Sequence, residues 1–447
     1  MIVMKFGGTS MGDVERIQNV AEIIEKNMEK NPLVVVSAHS KVTDMLLSAA
    51  REACKGNVSH PIEAIRKRHR DLLVGLGLDE TARDSFFDDL ELILKGISLI
   101  RELTPRTMDM VASFGERASS RTLAEYMRSR GHENCRQHDA WELGLRTDSE
   151  FMNALPTPNA YDLINVETSR FNDELIITTG FIGKDAEGNI TTLGRGGSDY
   201  SAAIFGAGID AKEIQIWTDV SGVMTADPRI VPNALSIEQL TFDEASELAY
   251  FGGKVLHPST MKPAVDKNIP IRVLNTFKPD HPGTVITKTA VASKYAVKSI
   301  VTKRDVITVN ITSTRMLGAS GFMAMLFNTF SKYNIVIDLI STSEVSVSIT
   351  LATDKNLDDA LNEIRHSNFK PQVNMSRKRA IVCIVGNGMR HFIGLSGKVF
   401  STIANADVNI EMISQGASEI NISVVIDNED ASAVVAALHD AFFGNEQ

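Results

Sequence analysis

The hydrophobic and polar positions of this chain change period repeatedly, and each change marks an element. Residues 1–6 form a short apolar run with Lys5 near its end, which reads as a buried strand. In GDVERIQNVAEIIEKNMEK the apolar residues Val14, Ile17, Val20, Ile23 and Ile24 recur at helical spacing, and Asp13 precedes them as an N-cap. The β-branched run PLVVVSAHS reads as a second buried strand. Residues 60–130 keep helical periodicity, as in FFDDLELILKGISLI. Further strands are predicted at 175–183 and 213–217, and helices at 198–207 and 243–251. Strands alternating with helices predict an α/β domain with a largely parallel sheet.

The pattern breaks in KPDHPGTVITKTAVASKYAVKSI, where Pro279, Pro282 and Gly283 predict a domain boundary near residues 285–300. Beyond it the chain repeats itself. FNTFSKYNIVIDLIS (327–341) aligns with FSTIANADVNIEMIS (400–414), and SEVSVSIT with SEINISVV. Phe327 falls on Phe400 and Ser343 on Ser418, so the second copy carries two extra residues between them. Each copy reads helix, strand, turn, strand, too little to bury a face alone, so tandem small α+β modules are expected.

Composition narrows the function classes. A net charge of −10 argues against a general nucleic-acid binder, whose footprint is basic. No run of about 18 apolar residues predicts a membrane span, and the N-terminus lacks the pattern of a secretory signal, so a cytoplasmic protein is expected. Cys54, Cys135 and Cys383 are far apart, as inert thiols of a reducing compartment would be. The histidines show no metal-ligand spacing, so no protein-built metal site is expected, whereas Mg²⁺ arriving with a nucleotide needs one or two carboxylates.

Three stretches carry anion-binding chemistry. In KFGGTS, Lys5 stands at a strand end beside Gly7 and Gly8 and ahead of a helix; amides, helix dipole and ammonium together make a phosphate cradle, although GxxxxGK[ST] is absent. In TTLGRGGSDYSAA (191–203), glycines surround Arg195, whose planar fork suits carboxylate or phosphate, and Ser198 and Asp199 stand at a helix start. In IWTDVSGVMTADPR (216–229), Thr218 and Asp219 end a strand, where α/β ligands bind, while Arg229 and the Lys254 of FGGKVLHP add cations. Each residue alone equally suits a solvated surface. Glu116 of SFGERASS could meet a substrate ammonium or cap a helix. The glycines of IVCIVGNGMRHFIG are spaced wrongly for a dinucleotide fingerprint.

KFGGTS, VVVSAHSKVTDML, SFGER, TTLGRGGSDYSAA, IWTDVSGVMTADPR and FGGKVLHP occur in the order seen in aspartate kinases, and the chain resembles that family, in its monofunctional lysine-sensitive form, over nearly its whole length. The resemblance implies an amino-acid kinase fold, a mostly parallel sheet flanked by helices, over residues 1–290. Two ACT modules would follow, over 300–375 and 376–447, with terminal strands open to exchange between them. It implies ATP-dependent phosphorylation of the side-chain carboxylate of L-aspartate, with Mg²⁺ carried by the nucleotide. Lys5 and Asp199 would be catalytic. ATP would meet Lys5, Phe6, Gly7, Gly8, Thr218, Asp219, Met224, Arg229, Lys254 and Val255. Aspartate would be held by Ser37, Thr43, Glu116, Phe181, Arg195 and Asp199. An amino-acid effector, lysine above all, would meet Met316, Ala319, Phe322, Met323, Val336, Ile337, Asp338, Ser343 and Glu344, and ACT pairing would make a homo-oligomer. The departures from the family pattern are His39-Ser40-Lys41, Met224 and Ala319. Two other readings are a different enzyme of the same fold and a non-catalytic amino-acid sensor; the repeat speaks against the first and intact Lys5, Arg195, Asp199 and Asp219 against the second.

Overall fold

A computed structural model describes every residue except 254, 255, 257, 290–295, 318, 417–419 and 445–447. The chain divides into two units. The first comprises residues 1–223, 238–242 and 256–289, and the second 224–237, 243–255 and 290–447. Residues 224–237 and 243–255 join the second unit ahead of the last change of unit after 289, so neither unit is one uninterrupted stretch of sequence.

The first unit is built on an eight-stranded sheet. Its strands are β1 (Ile2–Phe6), β2 (Pro32–Val36), β3 (Cys135–His138), β4 (Leu175–Thr179), then, after the small hairpin β5 (Ile182–Lys184) and β6 (Ile190–Thr192), β7 (Ile214–Thr218), β8 (Gln239–Thr241), β9 (Ile271–Asn275) and β10 (Thr284–Thr287). The order is β3-β4-β2-β1-β7-β9-β10-β8, parallel throughout except where β10 runs against β9. The run at 175–183 was expected as one strand. It breaks at Phe181, whose φ of 68° is left-handed, so the chain leaves the sheet after Thr179 and returns as a hairpin.

Period-two alternation sorts β1 between the two faces of this sheet. Ile2, Met4 and Phe6 join a core with Val34, Val36, Ile177 and Leu123, which also takes the apolar stripe of α1 (Val14–Lys26). Asp13 caps α1 by accepting the Arg16 N–H. Val3 and Lys5 lie on the opposite face. The helical stretch 60–130 resolves into α3 (Ser59–Gly75), α4 (Asp84–Ile100) and α5 (Pro105–Ser129), after α2 (Val42–Cys54). Helices α6 (Ala160–Ser169) and α7 (Gly197–Gly208) follow, with α8 (Phe242–Tyr250) and α9 (Pro258–Lys267) later in the chain.

The second unit carries a six-stranded antiparallel sheet of order β12-β13-β11-β14-β16-β15: β11 (Ser299–Thr312), β12 (Ile337–Thr342), β13 (Ser346–Leu351), β14 (Gln372–Val385), β15 (Met412–Ser414) and β16 (Asn421–Asp427). Its helices are α10 (Phe322–Lys332), α11 (Leu357–Arg365), α12 (Leu395–Asn405) and α13 (Ala431–Phe443). The repeat is visible in the backbone. Gly321 and Gly394, both left-handed, precede α10 and α12, and Asn334 and Asp407, both left-handed, follow them. The long strands β11 and β14 serve both copies. Residues 299–303 pair with 381–385 and residues 308–312 with 372–376, with a register shift between where Asp305 and Lys378 adopt positive φ. One half of the sheet covers a core of Val309, Leu326, Phe330 and Ile349, the other a core of Ile384, Val399, Val424 and Leu438.

Close packing of α7 on the first unit's sheet depends on a missing side chain. A Cβ on Gly206 would lie 2.5 Å from Ile214 Cδ1 on β7 and 3.9 Å from Val3 Cγ2 on β1. Replacing Gly206 by valine is therefore expected to cost about 1–3 kcal/mol as overpacking, read as a lower urea midpoint with an unchanged slope.

Candidate functional site

Neighbouring parallel strands β4, β2, β1 and β7 end at the same edge, which is where ligands bind in α/β sheets. Backbone bonds knit the loops leaving that edge. The Gly7 N–H donates to the Trp217 carbonyl, Ser37 N–H to Phe6, and Gly180 N–H to Val36. The WTD stretch thus starts beside the glycine turn. The Gly7 amide is thereby engaged within the protein. Phe6 is likewise a core residue, its ring stacked on Trp217 at 6.0 Å, so its side chain is unavailable to a nucleotide.

A cavity of about 420 Å³ opens at this edge. Lys5, Gly8, Ser37, Thr43, Glu116, Phe181 and Asp199 of the predicted set line it, joined by Thr9, His39, Lys41, Asp44 and Ser198. Two helices begin on it: α2, with Lys41, Thr43 and Asp44, and α7, with Gly196, Gly197, Ser198 and Asp199. Both positive helix ends face the cavity and favour anionic occupants.

Lys5 emerges on the α7 side of β1 and ends 2.6 Å from Asp199 in the first turn of that helix. Gly197 lets the start of α7 pack against Phe181, since a Cβ there would come within 2.5 Å of the Phe181 ring. Phe181 keeps its left-handed backbone because its N–H donates to Ser201 Oγ at 2.9 Å and its carbonyl accepts from Leu193. Strain of this kind is held at sites where the surroundings fix it.

Glu116 comes from the middle of α5 and is 3% exposed. Its Oε1 accepts the Ala38 N–H at 3.2 Å, whereas Oε2 is buried without a partner. Burial pushes its carboxyl up to about 8, against the lowering effect of the Ala38 amide. His39, also buried, hydrogen-bonds through Nδ1 to the Met11 carbonyl at 2.7 Å. Burial depresses its imidazole to about 4; the Met11 carbonyl opposes this and nearby Arg68 and Arg83 add to it. The ring of His69, 5.3 Å away, is fully buried, and its imidazole is held well below the ordinary value, again chiefly by burial.

Other predicted residues stand elsewhere. Arg195 is exposed and does not line the cavity. Thr218 donates its hydroxyl to Asp219 at 3.3 Å at the end of β7. Met224 and Arg229 belong to the second unit, where Arg229 is exposed and pairs with Asp227. Lys254 and Val255 lie outside the described residues. Members of the effector set have different surroundings. Phe322 is core, and Met316 and Met323 pack against that core. Val336 and Ile337 line an apolar hollow of about 440 Å³ with Phe327, Phe330 and Ile340. Asp338 is bound by Lys303 Nζ at 2.7 Å and Tyr250 Oη at 2.9 Å. Ser343 bonds Ser346 within the β12–β13 turn, and Ala319 and Glu344 are exposed. His39 and Lys41 stand out in the sequence as departures from pattern and Ser198 as a residue at a helix start; Asp44 carries no signal beyond adjacency to predicted residues.

Residues 1–275 match the amino acid kinase family, and residues 309–367 and 382–442 match the ACT domain. Aspartokinase 2, chloroplastic, of Arabidopsis thaliana is 41% identical over 99% of this chain and 84% of its own. The crystal structure of E. coli aspartokinase III with aspartate and ADP, an R-state, superposes with a TM-score of 0.83 at 32% identity, covering 99% of this chain and 100% of that one. The same E. coli enzyme with lysine and aspartate, a T-state, gives 0.79 at 34% identity over 99% of each chain. With kinase and ACT regions in this order and such relatives matched almost end to end, the chain belongs to the aspartokinase family.

Proposed function

We propose that this chain transfers the γ-phosphoryl group of ATP to the side-chain carboxylate of L-aspartate, giving 4-phospho-L-aspartate and ADP, under feedback control through its ACT modules. The carrying observation is the cavity at the β1 edge, where Lys5 and Asp199 are paired 2.6 Å apart beneath two helix N-termini. A side-chain carboxylate is ionised near pH 7 and needs no general base to become a nucleophile. Its obstacle is charge, because two anions must meet in line. Lys5 supplies a fixed cation for the transferring group, Asp199 holds that ammonium in place, and the start of α7 adds oriented amides. Gly8, Thr218 and Asp219 stand at the same edge for the nucleotide. Mg²⁺ enters with ATP as part of the substrate and neutralises phosphate charge; the exposed carboxylate of Asp219 suits it.

Aspartate would lie against Ser37, Thr43, Phe181 and Glu116, its ammonium on the unpartnered Glu116 oxygen. Arg195 on the exposed glycine loop would clamp a carboxylate. The ACT modules, read as about 300–375 and 376–447, would take an amino-acid effector, lysine first, and pair between subunits of a homo-oligomer. The lysine complex of the E. coli relative supports that reading. Among the described residues no helix is long and apolar enough to cross a membrane. Free Cys54, Cys135 and Cys383 fit a reducing, cytoplasmic setting.

The cavity's buried imidazole sets an acid limit on the fold that holds it. His39 titrates near 4 when folded and near 6.5 when unfolded, so between those values the unfolded chain binds more protons. Its contribution is complete above about pH 6.5 and is lost as the pH falls towards 4.

Three outcomes follow from these assignments. In an ADP-release assay, turnover is expected with L-aspartate but not with glutamate or N-acetylglutamate, and Lys5→Ala should lower kcat by about 10²–10³; a folded variant of near-normal turnover would refute the role of Lys5. Arg195→Ala should chiefly raise the aspartate KM, and an unchanged KM removes it as the clamp. Urea unfolding of the wild type should lose roughly 2–4 kcal/mol more between pH 6.5 and 4 than His39→Leu does, since leucine fills the site without a proton to bind.

A further inference from the structure

Glu116 is a buried acid without a counter-charge among the described residues. It reaches the cavity from α5, accepts one backbone amide on Oε1, and leaves Oε2 buried and unpartnered. Charged groups around it are otherwise committed or distant in character. On β1 and α7, Lys5 and Asp199 neutralise each other at 2.6 Å. On the loop after β2, His39 is held neutral by burial. At the start of α2, Lys41 and Asp44 are exposed to solvent. On α5 itself, Arg117 turns to Asp139 at 3.4 Å. A carboxylate left ionised in such a place costs several kcal/mol, which is avoided by keeping the proton.

We propose that binding of L-aspartate and loss of a proton from Glu116 are one event: the empty pocket holds the neutral acid, and the substrate's ammonium converts it to the carboxylate. This rests on the aspartate reading given above and adds the proton to it. Aspartate arrives with its own ammonium intact, so the proton released to the buffer is that of Glu116 Oε2, and no bond to carbon or phosphorus changes. The folded value of about 8 agrees with this state at neutral pH. Such coupling makes Glu116 a sensor of the amino group. A dicarboxylic acid without an ammonium, such as succinate, leaves Glu116 protonated and forfeits the charge-assisted bonds formed only with the amine.

Calorimetric titration of the full chain with L-aspartate, at about pH 7 in buffers of different ionisation enthalpy, reads the proton directly. Close to one proton released per aspartate bound is expected, falling towards none at about pH 9, with no release on adding succinate. Glu116→Gln should abolish the release. Infrared difference spectra of the unmodified protein supply a reading without any variant: a protonated-carboxyl band should disappear with aspartate and persist with succinate. Aspartate binding without proton exchange, or release that survives Glu116→Gln, overturns the coupling and leaves the aspartate assignment intact. Absence of aspartate binding overturns both.

Discussion

The cavity of the first unit depends on the contact between Lys5 and Asp199. Each charge is largely out of water, at 10% and 22% side-chain exposure, and neither would be tolerable there alone. The pair exists because β1 alternates its side chains and because α7 begins where the sheet ends. Glu116 has no such partner among the described residues, and burial pushes its carboxyl up to about 8. One cavity thus holds a compensated cation and an uncompensated acid, which differ in what they ask of a ligand.

The second unit meets a different constraint. Each repeat is too small to close its own sheet, and the structure resolves this by running β11 and β14 through both halves. Asp305 and Lys378 mark where each strand passes from one core to the other. Burial of Asp338 is offset by Lys303 and Tyr250, with Lys303 also 5.0 Å above the Tyr250 ring. Both partners meet Asp338 Oδ1, and its Oδ2 is buried without a hydrogen-bond partner.

Much of the fold was legible because burial and period go together. Val14, Ile17, Val20, Ile23 and Ile24 make the stripe that α1 buries or half-buries, and PLVVV is a strand buried at every position. The helix at 197–208 and the repeat were readable on the same grounds. The break at Phe181 was not, since nothing in LIITTGFIG forbids a continuous strand; the left-handed turn is imposed by Ser201 and Leu193, distant in sequence. The bonding of the Gly7 amide and the burial of the Phe6 ring were illegible for a related reason. Whether a backbone amide is free, or a ring exposed, depends on the neighbouring strand, here Trp217 of β7.

By itself the sequence determined the strand and helix succession, the tandem modules and the residue types gathered for anion chemistry, because these follow from local periodicity and from motifs that carry their chemistry with them. Tertiary structure alone decided which charges meet and which remain alone. The ionisation of Glu116, the neutrality of His39 and the engagement of the Gly7 amide depend on dielectric and hydrogen-bond partners supplied by segments far away along the chain.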